Sequence, residues 1–389
     1  MKNSKLAILV ILTMLISLVA AAAVHADEAW KAANIDDGSQ TTEELYELAK
    51  QEGKVVVYSI SSRMDKALAA FMEDFPGIEA EVVNMKTDVV KEKVMTEYKS
   101  GLKGADLVHV SDLDGMVYNE YVLAGIMYPY YPDDIVAKID TNTYSLDAGF
   151  PLYWELTQWF YNDQLLPDGP GVESWWDLTK PEWKGKLIIN NLLTNHDYIA
   201  QFAAFVQFAD ELEADYERVF GEKISYTNPA GKQNAAYELV YRLLSNDVVF
   251  TQSSDEAVES VGADGVTEVK LAWGPSSKIR NNVNKGWHLH AMNMTPKVGV
   301  PKPNFLYIVD SCDHPNAAKL LERYLLGGDD GQSRGTEQFN TLGGWYLPND
   351  VVPAEGSTPL SEIPLWPNNP EFVYVEVLDM EDFILSLLG

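Results

Sequence analysis

Ser174-Trp175-Trp176-Asp177-Leu178-Thr179-Lys180-Pro181-Glu182-Trp183-Lys184-Gly185-Lys186-Leu187-Ile188-Ile189 is the stretch whose reading decides the fold. Three tryptophans, a proline and a Lys-Gly-Lys turn stand directly before an apolar run. The pattern predicts a helical turn that ends at Pro181, where the ring removes a backbone donor, and then a buried strand from Leu187. Taken alone, the segment reads as a surface loop with packed indoles.

Reading outward, short β-branched runs alternate with amphipathic helical patterns. Lys54-Val55-Val56-Val57-Tyr58-Ser59 has no polar alternation, as expected of a parallel strand buried on both faces. A helix capped by Thr42 precedes it, with acids in the first turn. A helix capped by Ser61 or Ser62 follows, with Leu68, Phe71, Met72 and Phe75 on its apolar side and Pro76-Gly77 stopping it. Residues 79–84 read as a second strand, 89–98 as a helix and 105–110 as a third strand. This β-α-β-α-β order predicts a parallel sheet covered on both faces. Residues 152–161 read as one long crossing strand. A second α/β unit follows, with strands near 187–189, 248–250 and 269–273 and helices over 197–212 and 234–244. Residues 304–309 look like a return strand, and His314-Pro315-Asn316 opens a helix running to Leu326.

With 389 residues and 46% hydrophobic content, the chain suits two domains with ample cores. Lys2 and Lys5, the apolar run 6–24 and the small residues Val24 and Ala26 around His25 read as a secretory signal over residues 1–26. The competing reading of that run is an uncleaved anchor, since about 20 apolar residues span a bilayer. Cys312 is the single cysteine, so no internal disulfide forms, and a buried structural thiol is expected. Lys and Arg number 29 against 58 Asp and Glu, a net charge of −29. That field repels nucleic acid and anionic membrane surfaces; it does not imply a cationic ligand. No P-loop, Gly-x-Ser-x-Gly elbow or catalytic Cys/His pairing is present. His288 and His290 share one side of a strand, without a third ligand at a recognisable spacing.

The Trp-rich segment resembles the signature SW-x-DL-x-x-P-x-WKGK of bacterial solute-binding proteins of ABC importers (family 1 type), especially the branch with the ferric-ion binders. Val55 to Ser59, Ala105 to Val108 with Ser111-Asp112, Gly125-Ile126-Met127-Tyr128-Pro129-Tyr130 and His314-Pro315-Asn316-Ala317-Ala318-Lys319-Leu320 are similar to further motifs of that family, in the same order. The resemblance implies the α/β type II periplasmic binding fold, two lobes joined by crossing hinge strands. It implies lobe 1 from residues 27–150 and a return segment 290–345, lobe 2 from 151–289, and a C-terminal helical segment 346–389 on lobe 2. It further implies a periplasmic monomer, not an enzyme, with no cofactor and no stable membrane insertion. Such a protein captures a small-molecule ligand by hinge closure and presents it to ABC permease subunits.

Ligands of open parallel sheets sit beyond the carboxyl ends of strands. That rule selects Ser59, Ser61, Ser62 and Arg63; Ser111 and Asp112; Asn195; and Trp273, Ser276, Ser277 and Lys278. Hydroxyls at a helix N-terminus beside Arg63 favour an anion, although plain N-capping explains one serine of each group. Ferric binders of the family carry two adjacent tyrosines and a histidine where this chain has Gly274-Pro275-Ser276-Ser277 and Ser59-Ile60-Ser61. The substitution of serines and amides for hard anionic donors favours an anion, a phosphorylated sugar or a phosphonate over iron, for which no metal ligand is assigned. A ferric-ion or polyamine binder of the same fold is the alternative. A secreted hydrolase using cleft carboxylates is the alternative of another class. Trp154, Trp159, Trp175, Trp176 and Trp273 offer stacking faces, with core packing the simpler reading for most of them.

Overall fold

The computed structural model describes residues 28–140 and 146–389. The signal-peptide reading of residues 1–26 lies outside them. Among the described residues twelve strands form two sheets. The first contains β1 (Lys54–Ser59), β2 (Glu79–Asn84), β3 (Leu107–Ser111), β4 (Met127–Tyr128), β5 (Phe150–Glu155), β11 (Lys302–Val309) and β12 (Gly344–Trp345). Their order is β12-β5-β11-β3-β1-β2, with β4 also on β11. The second contains β6 (Thr157–Asn162), β7 (Leu187–Asn190), β8 (Val249–Thr251), β9 (Leu271–Pro275) and β10 (Leu289–Ala291), ordered β10-β6-β9-β7-β8.

Neither sheet is all-parallel. β1 pairs in parallel with β2 and β3, and β7 with β8 and β9. β11 enters antiparallel between β3 and β5, and β6 runs antiparallel to β9 and β10. Mixed pairing is the geometric consequence of a chain that leaves one sheet, builds another and returns. The run 152–161 is accordingly two strands. It breaks at Leu156, where the chain passes between sheets, so β5 through Glu155 belongs to the first sheet and the 150/151 boundary is displaced. The second crossing lies between Ala291 and Lys302, so His290 belongs to the second sheet.

Each sheet carries its own core. Val55, Val57, Leu68, Phe71, Leu107, Val110, Leu306, Leu321 and Leu325 pack in the first lobe. The second is built around the opening sequence segment. Ser174 caps a 3₁₀ turn, Trp175–Thr179, in a capping box with Asp177. The Trp175 indole donates to Lys297 O at 2.9 Å and the Trp176 indole to Leu212 O at 2.8 Å. Both rings are fully buried. Each takes roughly 200 Å² from water, worth about 5 kcal/mol. Pro181–Trp183 forms a second turn, and Gly185, at φ 71°, releases the chain into β7. The C-terminal helix Pro370–Leu388 places Val373, Val377, Met380, Phe383 and Ile384 on the same core.

Candidate ligand cleft between the lobes

A cleft of about 750 Å³ opens between the two sheets. Four helices begin at its wall: Arg63–Asp74 after β1, Thr87–Ser100 after β2, His196–Phe205 after β7 and Ser254–Gly262 after β8. All four follow parallel strands, so their positive ends point the same way as the strand carboxyl ends. At three of them, the N-cap residues Ser62, Lys86 and Asn195 make no side-chain capping bond. Only Ser253 caps its helix, by accepting from Glu256 N. At the first of the four, Arg63 N donates to Ser61 Oγ and Met64 N to Ser61 O, so these helix ends favour an anion through their dipoles.

Side-chain charge points the same way. Arg63, Lys86, Lys278, Arg280, Lys285 and Lys302 line the cleft, against Asp88, Glu155, Asp197 and Asp255. In a chain where acids outnumber bases two to one, this wall reverses the sign. Lys302 and Glu155 are cross-strand partners at the ends of the two hinge strands, 3.6 Å apart. Lys302 also bonds Asp197 at 3.1 Å, and Lys278 pairs with Asp255 at 2.8 Å. Burial opposes the Asp197 and Asp255 carboxylates, yet Lys302 and Lys278 respectively hold them below the usual carboxylate range. Burial raises Asp88 at the rim and pushes the Lys278 ammonium down.

Several polar groups lining the cleft, from both lobes, lack partners. Arg63 Nη1, Asn190 Oδ1, Asn281 Nδ2 and both amide atoms of Asn304 are buried without a hydrogen bond. Asn190, Asn281 and Asn304 are 4%, 4% and 1% exposed. A bulge against β5 lies between Asn304 and Phe305, a device that re-aims a side chain. An orphaned buried polar atom costs about 1–3 kcal/mol. Five of them face one cleft, Arg63 and Asn304 from the first lobe and Asn190 and Asn281 from the second, where a ligand could supply partners.

The residues selected from sequence divide sharply. Ser61, Ser62, Asn195 and Ser277 line the cleft, as do Arg63 and Lys278. Ser59, Ser111, Asp112, Trp273 and Ser276 lie off it, each for a visible reason. Ser59 is fully buried and shares a 3.0 Å hydrogen bond with His109 Nδ1. Ser111 is an interlobe tie, donating to Asp197 at 2.9 Å. Asp112 accepts from Val117 N and Tyr118 N, both at 2.9 Å, and anchors the turn after β3. Trp273 is fully buried, stacked on Trp159 and edge-on to Trp175 and Tyr198. Ser276 is 1% exposed; its hydroxyl accepts from Leu156 N at 2.9 Å and donates to Gly343 O. Trp159, Trp175 and Trp176 are core as well.

Sequence reasoning passed over Glu155, Asn190, Asn281, Lys302 and Asn304. A faint signal existed for Glu155, Asn190 and Lys302, since each is a lone polar residue ending or opening an apolar run. The cleft lining holds one tyrosine, Tyr153, and no histidine. Burial pushes the Tyr153 phenol up to about 12, and its oxygen accepts from Arg63 Nη2 at 2.7 Å. Among the described residues no group of three His, Cys, Asp or Glu side chains is placed to hold a metal ion.

No protein-family model and no curated protein sequence matches the chain. Solved structures do. The periplasmic binding protein P5PA superposes with a TM-score of 0.65 at 14% identity, over 87% of this chain and 100% of that one. The fold is that of the periplasmic binding proteins. Iron-bound HitA from Pseudomonas aeruginosa gives 0.64 at 13% identity, over 86% and 99%. AfuA from Actinobacillus pleuropneumoniae, with exogenous fructose-6-phosphate bound, gives 0.63 at 16%, over 86% and 98%. At such identities the likeness carries architecture, and the ligand has to be argued from this chain's own cleft.

Proposed function

We propose that this protein is a solute-binding protein that captures a small anionic ligand, a phosphorylated sugar or a phosphonate, between its lobes and delivers it to an ABC importer. The observation that carries this reading is the sign reversal of the cleft: six cationic side chains and four helix N-termini in a chain of net charge −29. Hinge closure about the crossings at Leu156 and 291–302 buries the ligand against both walls. The permease subunits then read the closed form from the periplasmic side, with no covalent chemistry. Among the described residues no helix is long and apolar enough to cross a membrane. A polyamine would meet an excess of like charge. Ferric ion would meet a single phenol, held protonated. A hydrolase would need a cleft carboxyl poised near neutrality; Lys302 and Lys278 push Asp197 and Asp255 down, and Asp88, which is raised, stands exposed at the rim.

The test is a thermal-shift series on protein unfolded and refolded to strip any ligand. Bound ligand stabilises the native state by RT ln(1 + [L]/Kd), about 2.7 kcal/mol at a hundredfold excess over Kd. Fructose 6-phosphate, 2-aminoethylphosphonate and inorganic phosphate are expected to raise Tm, and spermidine and ferric citrate to leave it unchanged. A series in which no anion moves Tm refutes the reading.

A further inference from the structure

Six cationic side chains and four carboxylates line the cleft, an excess of two positive charges, and, among the described residues, the two guanidinium groups of the six have no carboxylate partner. Glu155 accepts from the Ser277 hydroxyl and faces Lys302; Asp197 holds Lys302 and Ser111; Asp255 holds Lys278. Arg63 stands at the start of the first lobe's helix after β1. Its Nη2 donates to Tyr153 and its Nε to Ser61 Oγ at 3.1 Å, while Nη1 is buried with no partner. Its guanidinium lies over the Tyr153 and Phe339 rings, 4.9 and 4.8 Å from their centroids. Arg280 comes from the second lobe, at the end of the 3₁₀ turn Ser276–Arg280. Its Nη1 donates to Ser277 O at 2.6 Å and to Ser277 Oγ at 3.1 Å. Among the described residues neither arginine has a carboxylate within ion-pair distance. Burial first, and Arg63 next, pull the Arg280 proton affinity down, against Glu155, Asp255 and Tyr153. The two guanidiniums therefore repel one another across the cleft.

We propose that Arg63 and Arg280, one from each lobe, clamp a terminal tetrahedral dianion, so that the ligand is a phosphate monoester or phosphonate on a small polyhydroxylated or amide-bearing body. This deepens the solute-binding reading and rests on it. Two fixed positive charges are neutralised by a dianion; a carboxylate, a sulfate ester or a phosphodiester leaves one uncompensated. The planar guanidinium fork matches tetrahedral oxyanions with paired N–H donors. Because one arginine belongs to each lobe, the ligand also turns their repulsion into a bridge that favours closure. The remaining wall reads an uncharged body: Asn190 presents an acceptor, Asn281 a donor and Asn304 both, all without partners. No tryptophan lines the cleft, and Tyr153 is the single aromatic ring there, its face covered by Arg63. Stacking of a nucleobase therefore finds no platform, and a nucleotide is disfavoured.

Glucose 6-phosphate and glucose 6-sulfate separate the charge from the shape, being near-isosteres with two charges and one at pH 8. Titration calorimetry of the full mature chain is expected to give the phosphate at least about tenfold tighter binding at pH 8. The advantage should shrink as the pH falls through about 6, where the monoester dianion takes up a proton and becomes a monoanion. In Arg280→Gln the phosphate should weaken at least about tenfold and the two esters should converge. Arg63→Gln, checked for folding by its melting curve, is a second variant in case Arg280→Gln fails to fold. Equal wild-type affinity for the two esters, or selectivity retained in both variants, overturns the clamp. If 2-aminoethylphosphonate and all phosphate esters fail to bind while a carboxylate such as gluconate binds, the clamp falls and the solute-binding reading stands. If no anion binds at all, both fall.

Discussion

Ser276 and Ser277 are adjacent, both almost fully buried, and equivalent in sequence, yet the structure gives them opposite work. The Ser276 hydroxyl accepts from Leu156 N, the residue between the two hinge strands, and donates to Gly343 O. A Cβ at Gly343 would stand 2.2 Å from Ser276 O, so the two backbones meet with no room for a substitute contact or a water. Ser276→Ala strands two buried backbone groups. At about 1–3 kcal/mol for each unsatisfied group, a loss of about 2–6 kcal/mol in unfolding free energy is expected. Ser277→Ala removes a bond to Glu155 and an acceptor for Arg280, both on the ligand wall. Its stability loss should be about 1.5–3 kcal/mol, the net worth of a hydrogen bond to a charged group. Its affinity for glucose 6-phosphate should fall, because Glu155 and Arg280 are no longer held in register. Urea denaturation at constant protein concentration and calorimetric titration of the two variants measure both quantities. The reasoning is refuted if Ser276→Ala loses less than about 0.5 kcal/mol, or if it loses affinity as Ser277→Ala does at unchanged stability.

Three further outcomes follow from the charge layout. Asp197→Asn leaves Lys302 with Glu155 alone at 3.6 Å, and breaking a buried pair of this kind should cost about 3–5 kcal/mol in urea unfolding at pH 7. Since the folded Asp197 pKa is depressed, its contribution is present above about pH 4 and disappears as the pH falls through the folded value, so wild type and variant should converge in acid. Asp112 has the opposite sign: burial, then Asp114, lifts it to about 8, so its carboxyl is protonated in the fold well after it ionises in the unfolded chain. Stability should therefore decline through this group between about pH 4 and 8, and Asp112→Asn should flatten the decline; an unchanged slope in urea titrations at pH 5 and 8 argues against it. Finally, the cationic cleft sits inside an acidic envelope, and the far field opposes an incoming anion. Stopped-flow association with glucose 6-phosphate should speed up from 20 to 150 mM salt as the Debye length shrinks toward about 8 Å, and a rate that falls with salt would show that the cleft's own field dominates.

Much of the architecture was legible as pattern. The β-branched runs at 54–59 and 187–189, the helix stop at Pro76-Gly77 and the helical turn before Pro181 rest on interactions among near neighbours, which sequence records directly. The antiparallel entry of β11 and the break at Leu156 rest on which strand the chain pairs with after a long excursion, and no local propensity encodes that. Four of the nine residues chosen for the ligand, Ser61, Ser62, Asn195 and Ser277, do lie on the cleft wall. The other five share the same residue types and strand-end positions, but a strand end has two sides and adjacent side chains leave it in opposite directions. Trp273 shows the difference most plainly: one residue before Gly274, it faces the core rather than the pocket loop.

By itself the amino-acid sequence determined two α/β units, a strongly acidic chain, and the strand-end loops where a ligand would be held. Only the tertiary structure decided the charge of the site. Arg63 and Arg280 are 217 positions apart on different lobes, and Glu155 meets Lys302 only because β5 and β11 pair across the hinge. Net charge sums over the whole chain, whereas a ligand feels the few groups within a Debye length in a desolvated cleft, and folding alone chooses which groups those are.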